Sequence, residues 1–231
     1  MQKRLLRLTA SIVVVLSCAT AQAADILYQT PGPNPNSPAY FSDADGVLLN
    51  AVATKAQVTA GKINGVEWWG LYADPNQEGS GAQDFFTLSF YAGGGATPGA
   101  LVGSFALGSG NRVATGNKPF NYYNQYFYSA SFADFDLSAG PYFVSIVDAN
   151  PSASDWAWQE IGSLGGVGGA SRNATSGIWA VNPSANTAFR LTYTEPVVIP
   201  SPVPEPETYA LMLAGLGLLA VVARRRKAAR H

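Results

Sequence analysis

Short strand-like stretches of hydrophobic and polar residues recur along the body of this chain, and the clearest of them alternates with the period of a strand that has one buried face. Asp84 to Tyr91 (DFFTLSFY) sets Phe86, Leu88 and Phe90 against Thr87 and Ser89. A turn from Gly93-Gly94-Gly95 through Pro98-Gly99 follows, and Ala100 to Leu107 (ALVGSFAL) returns as its partner. Gly65 to Tyr72 (GVEWWGLY) is aromatic and short, and Gln125 to Phe132 (QYFYSASF), Pro141 to Val147 (PYFVSIV) and Ala188 to Tyr193 (AFRLTY) repeat the theme. Asp45 to Thr59 reads as a strand or a short helix, and nothing between residues 24 and 200 sustains a helical period. Pro31 to Pro38 and the glycine tract Gly162 to Gly169 read as loops. Six to nine short antiparallel strands of this kind predict an all-β body, an antiparallel β-sandwich that is jelly-roll-like. No fixed-period repeat argues for a solenoid.

The two ends break the pattern. Val203-Pro204-Glu205-Pro206 is non-helical, because each proline fixes φ, lacks an N–H donor and pushes the residue before it towards extended geometry. Thr208 to Ala223 is then an uncharged run of 16 residues rich in Leu, Ala, Gly and Val, without a polar face. Arg224, Arg225, Arg226, Lys227 and Arg230 close the chain with positive charge. Sixteen residues of helix rise about 24 Å, against about 30 Å of bilayer hydrocarbon, and cationic ends snorkel to headgroups on the cytoplasmic side. The tail is therefore read as a single transmembrane sorting helix over 208–223 with a basic cytoplasmic stop at 224–231. At the other end, Lys3, Arg4 and Arg7 precede an apolar stretch around Ile12 to Leu16, and Ala21-Gln22-Ala23 offers a small-x-small cleavage site. Residues 1–23 thus read as a signal peptide that leaves Ala24 as the new N-terminus. Cys18 allows a second reading as a lipidated cysteine, although Leu16 two positions earlier is large for that. If the signal is removed, the only cysteine goes with it, and no disulfide or thiol chemistry remains. The expected parts are 1–23, a secreted body over 24–196, a Pro-rich linker over 197–207, the helix and the basic tail.

Charge changes the picture once the ends are set aside. The whole chain carries a formal charge of −1, but its cations concentrate at the termini. Residues 24–200 hold six Lys or Arg against thirteen Asp or Glu, a net charge near −7. Such a body does not suit nucleic acid or anionic lipid as a partner.

The order Pro204-Glu205-Pro206, apolar helix, Arg cluster resembles the PEP-CTERM sorting signal of Gram-negative bacteria, a tail also known as the ice-binding protein C-terminal domain. The resemblance covers about an eighth of the chain. It implies export through the Sec machinery and a temporary hold in the inner membrane. An exosortase, a cysteine transpeptidase or protease, would then cut near the Pro-Glu-Pro motif and release the protein to the surface or the extracellular polysaccharide. The chain would be a substrate of that enzyme. Glu67-Trp68-Trp69-Gly70, Asp84 to Tyr91, Pro98-Gly99-Ala100 and Gly140-Pro141-Tyr142 to Ile146 are more loosely similar to the bodies of exported PEP-CTERM proteins. Those bodies supply no catalytic residues to carry over. Ice binding would need a flat face of repeated Thr-type motifs, and the body has no such repeat.

Catalytic chemistry finds little to work with. His231, the sole histidine, lies in the tail, so the body has neither a Ser-His-Asp nor a Cys-His arrangement, nor imidazole or thiolate ligands for zinc. Gly93 to Gly95 and Gly108-Ser109-Gly110 lack the lysine of a phosphate loop. The reading is a protein that is not an enzyme and has no cofactor. A weak glycan hydrolase, with Glu67 and Glu160 as paired carboxylates, is the alternative. Carbohydrate contact is the sharper expectation, because apolar sugar faces stack on aromatic rings. Trp68, Trp69, Trp156 and Trp158 lead the candidates, with Trp179, Tyr122 and Tyr123 as further rings. Asn121, Asn124, Gln125 and Gln159 are polar partners. Against this, aromatics also fill the core of a sandwich. Asp43 and Asp45, and the Asp134-Phe135-Asp136 pair, are weak calcium candidates whose Asx-turn reading is as good. Asn173-Ala174-Thr175 is a formal glycosylation sequon, idle in a bacterium.

Overall fold

The computed structural model describes residues 24–43, 50–76, 84–149, 155–161, 168–173, 177–195 and 206–228. The chain divides into two units, 1–195 and 196–231. In the first, the strands run β1 (Asp25–Gln29), β2 (Ala39–Phe41), β3 (Asn50–Val58), β4 (Gly61–Tyr72) and β5 (Phe86–Ala92). Next come β6 (Leu101–Gly108), β7 (Asn111–Ala114), a 3₁₀ turn (Pro119–Asn121), β8 (Tyr126–Leu137) and β9 (Gly140–Asp148). The last four are β10 (Trp156–Gln159), β11 (Gly169–Asn173), β12 (Ala180–Asn182) and β13 (Phe189–Tyr193).

All named strand pairs are antiparallel and form two sheets. One follows the order β12-β11-β3-β9-β5-β6. The other is organised around the 12-residue β4. Along one edge β4 pairs with β8, which carries β7 outside it; along the other it pairs first with β13 and then with β10. β1 and β2 complete that side as partners of β13 and β10. The sequence predicts six of the strands, and the described part of the segment Asp45 to Thr59 holds strand β3, Asn50–Val58. β8 runs five residues further than expected, because a register shift between Ile63 and Gly65 lets it keep pairing with β4. The short β1, β2, β7, β11 and β12 have too few residues to show a period by themselves.

One core collects buried side chains from both sheets. Alternation on β4 turns Val66, Trp68 and Tyr72 inward and Glu67 and Trp69 outward. Phe86 of the other sheet sits among three larger rings. Its centroid lies 5.1 Å from Trp68, 5.1 Å from Tyr128 and 5.0 Å from Trp156, each near edge-on, the geometry that ring quadrupoles favour. Trp68 and Tyr128 stack at 5.2 Å and 7° on neighbouring strands. Gly70 lets Trp156 lie flat against the β4 backbone, since a Cβ there would overlap the indole.

Truncating Phe86 to Ala should cost about 3–5 kcal/mol of unfolding free energy, and Gly70→Ala about 1–3 kcal/mol by overpacking. Urea denaturation followed by tryptophan fluorescence checks both, and a loss below about 1 kcal/mol for Phe86→Ala would contradict the central place given to that ring.

The second unit holds α1, Pro206–Ala228. It opens on a proline, which the first helical turn accepts. Leu211, Met212, Leu213, Leu216, Leu218, Leu219, Val221 and Val222 are all exposed, as are Arg224, Arg225 and Arg226. Such a helix has no polar face to hold in water. Among the described residues, however, no helix is long and apolar enough to cross a membrane, so the expected spanning segment is not established by the structure.

Candidate functional site

Three of the four leading tryptophans are core. Trp68, Trp156 and Trp158 are fully buried, and their faces meet Tyr128, Phe86 and Phe189. The Trp158 indole N–H donates to the Ala188 carbonyl at 3.0 Å. None of these rings can offer a face to a sugar, which corrects that part of the expectation. Trp156 and Trp158 do share one strand face, as the spacing requires, but it is the inner face.

Trp69 differs. It is half-buried on the outer face of β4, opposite Phe127 of β8 at a centroid distance of 5.2 Å. Arg190 of β13 places its guanidinium 5.1 Å from the Trp69 ring centroid and donates from Nη1 to Glu67 Oε2 at 3.0 Å. Leu71 continues the same face, and Ala157 and Phe41 lie beside it in cross-strand register.

A loop folds over this end of the sheet. Residues 115–125 connect β7 to β8, and Gln125 clamps their two ends. The Thr115 N–H donates to the Gln125 carbonyl at 3.0 Å, and the Gln125 N–H donates to the Asn117 carbonyl at 3.2 Å. Thr115 Oγ1 and Asn117 Nδ2 both donate to Gln125 Oε1 at 2.9 Å. Pro119 is buried, whereas Phe120 and Tyr122 are 52% and 55% exposed. Phe120 and Asn121 occupy consecutive left-handed positions, φ 54° and 57°. For a bulky non-glycine residue this conformation costs on the order of 1–3 kcal/mol and persists only where its surroundings impose it. Tyr123 lies edge-on to both Tyr122 (5.0 Å) and Phe120 (6.5 Å). Between loop and sheet runs an open groove of about 350 Å³, lined by Phe41, Leu71, Ala157, Phe120 and Tyr123 among others. Alternation says nothing of this loop; the run of aromatic and Asn residues between two strands was its only signal.

Trp179 lies against the other sheet, with Tyr91 at 5.6 Å and the Arg172 guanidinium at 4.7 Å from its ring. The polar partners scatter. Gln159 donates through Nε2 to the Ser37 carbonyl at 3.1 Å and is buried. Asn121 stands exposed on the loop, and Asn124 next to Gln125 is partly buried.

The two carboxylates of the hydrolase alternative do not share a face. Glu67 points outward to Arg190, while Glu160 follows Trp156 and Trp158 by even steps and is buried beside Thr187. Burial raises the Glu160 carboxyl above its ordinary range. Of the calcium candidates, Asp43 is buried with Oδ2 accepting the Trp156 N–H at 3.1 Å, and Asp45 lies outside the described residues. Asp134 pairs with Lys62 at 3.2 Å and accepts from Asn64 at 3.2 Å. No cluster of three or more potential metal ligands occurs among the described residues. Ala21, Ala23, Pro204 and Glu205 also lie outside the described residues, as does the Lys227 side chain.

One buried polar network was invisible in the sequence. Tyr72 donates to Asp84 Oδ2 at 2.6 Å and accepts from Tyr128 and Arg112, each at 3.1 Å. Burial raises the Asp84 carboxyl and both tyrosine hydroxyls above their usual ranges. Each hydroxyl in this chain of bonds has a partner, which is the condition for keeping such a group inside.

Residues 202–227 match the family profile described as the PEP-CTERM protein-sorting motif. The chain carries that motif. No curated protein and no solved structure matches the chain.

A carboxyl whose pKa is raised in the folded state contributes most to stability below its unfolded pKa, and that contribution is lost as pH rises through the folded value. Asp84→Asn removes this titration. Its stability relative to wild type should therefore rise with pH above the ordinary aspartate value of 3.8 and then level off. Chemical denaturation from acid to neutral pH measures the difference, and a relative stability of the variant that falls as pH rises would contradict it.

Proposed function

We propose that this chain is an exported bacterial protein of structural or adhesive type, working at the cell surface or in its polysaccharide matrix. The observation that carries the reading is the sorting motif over residues 202–227. A PEP-CTERM motif implies export, a transient membrane-anchored step, and processing by an exosortase. In this reading, residues 1–23 direct Sec export and are removed, while α1 holds the chain in the inner membrane and Arg224, Arg225, Arg226 and Lys227 mark its cytoplasmic end. The cut falls near Pro204-Glu205-Pro206. The shortness of the apolar run suits temporary tenure better than permanent anchoring.

We read the body as a β-sandwich that binds and does not catalyse. The ring contacts between the two sheets support the sandwich. The outward aromatic surface at Trp69, Phe120, Tyr122 and Tyr123 supports contact with carbohydrate. The separation of Glu67 and Glu160 onto opposite sides of one sheet speaks against hydrolysis, since a retaining or inverting pair must flank one glycosidic bond.

Intact mass of the surface-exposed protein should give a chain that starts at Ala24 and ends near Pro206; a product still containing Arg224 to His231 would sink the sorting assignment. Incubation with soluble glycans should release no reducing sugar above the Glu67→Gln/Glu160→Gln background, and release that those substitutions abolish would restore the hydrolase.

A further inference from the structure

Building on the carbohydrate reading, we propose that the outer face of the β4 sheet holds a stacking site for a neutral polysaccharide. Phe120 and Tyr123 form its wall, Trp69 continues its floor, and the Glu67–Arg190 pair reads hydroxyls at its edge. Leu71 lies under the loop groove, and Trp69 is two residues away on the same strand face, about 7 Å along it. In the proposed site, groove and indole are joined through this shared strand face. Phe127 beside Trp69 extends the apolar strip across to β8.

Three features select the ligand. First, the residues lining the groove are uncharged, and the charges beside Trp69 are already paired with each other at 3.0 Å. In a body with net charge near −7, the groove lining and the indole then offer no unmatched cation to an acidic polymer, and the exposed Lys118 of the loop is the cation whose contribution the alginate comparison measures. Second, the surface alternates ring faces with hydrogen-bonding groups: the tyrosine hydroxyls, the exposed Asn121 amide and a guanidinium–carboxylate pair. A pyranose presents the same alternation, with apolar C–H faces and equatorial hydroxyls. An extended peptide would instead look for a free strand edge, and this surface is a sheet face. Third, the wall is held before any ligand arrives. Gln125 fixes both ends of the loop, and the left-handed backbone at Phe120 and Asn121 sets the direction of the first ring. A ligand then meets side chains whose ordering has already been met by folding, which favours affinity from a shallow site.

The test uses the full chain in mild detergent, with a panel of soluble neutral polysaccharides (β-1,3-glucan, starch, galactomannan) and alginate as the acidic comparison. Affinity electrophoresis measures retardation, and circular dichroism checks that each variant is folded. Wild type should be retarded by at least one neutral polymer and not by alginate alone. Phe120→Ala and Trp69→Ala should each weaken that retardation at least fivefold, whereas Trp69→Phe should stay within about twofold to threefold. Trp179→Ala, on the opposite sheet, should leave it unchanged. No retardation of wild type by any neutral polymer overturns both the site and the carbohydrate reading. Retardation that survives Phe120→Ala and Trp69→Ala, or that falls with Trp179→Ala, overturns the site alone and leaves the reading. Retardation by alginate only, or recovery of a tightly held protein in place of a glycan, overturns the proposed ligand class.

Discussion

The ring of Phe86 is the point on which the body depends. Among the described residues it is the aromatic side chain that reaches from its own sheet to three large rings of the other at once. Trp68, Tyr128 and Trp156 come from three neighbouring strands, so their packing on one side chain fixes the relative register of β4, β8 and β10 against β5. With no disulfide available to the body, cohesion comes from burial, and aromatic side chains bury more apolar surface per residue than any others in such a chain. Gly70 belongs to the same constraint, since only a missing side chain lets the Trp156 indole reach the cluster.

That packing also explains what is left outside. A strand faces two ways, so turning Trp68 inward necessarily turns Glu67 and Trp69 outward. The outer surface of β4 acquires a half-buried indole packed against Phe127, beside a guanidinium and a carboxylate that neutralise each other. The 115–125 loop then covers Leu71 and Ala157 with rings of its own. Near the end of the same strand, Tyr72, Asp84, Arg112 and Tyr128 carry polarity into the core, tolerated because each hydroxyl finds a partner. One sheet thus has an inner face packed into the core and an outer face that carries Trp69 and, under the loop, Leu71 and Ala157.

Much of the strand content was legible because alternation survives in any strand long enough to contain two or three periods and buried on one face, as in β5. Legibility failed where elements were short, as in β7 and β12, or where a loop was held by bonds between its own two ends, as with Gln125 and Thr115. It failed also for the tryptophans as a group. The adjacent pair Trp68-Trp69 had to split between two faces, but nothing local says which of them meets the core.

The tail, by contrast, was readable entirely from residue order. Prolines, an uncharged apolar run and a basic end act through backbone geometry, hydropathy and charge, all of which are properties of a contiguous segment, and the matched family motif falls on the same residues. Sequence alone therefore determined the all-β character of the body, its lack of histidine and its sorting tail. Only the tertiary structure decided which rings are core and which face outward, and that Glu67 and Glu160 stay apart. The reason is physical. Those outcomes depend on which strand lies across from which, and pairing partners more than a hundred residues apart, such as Glu67 and Arg190, leave no local trace in the chain.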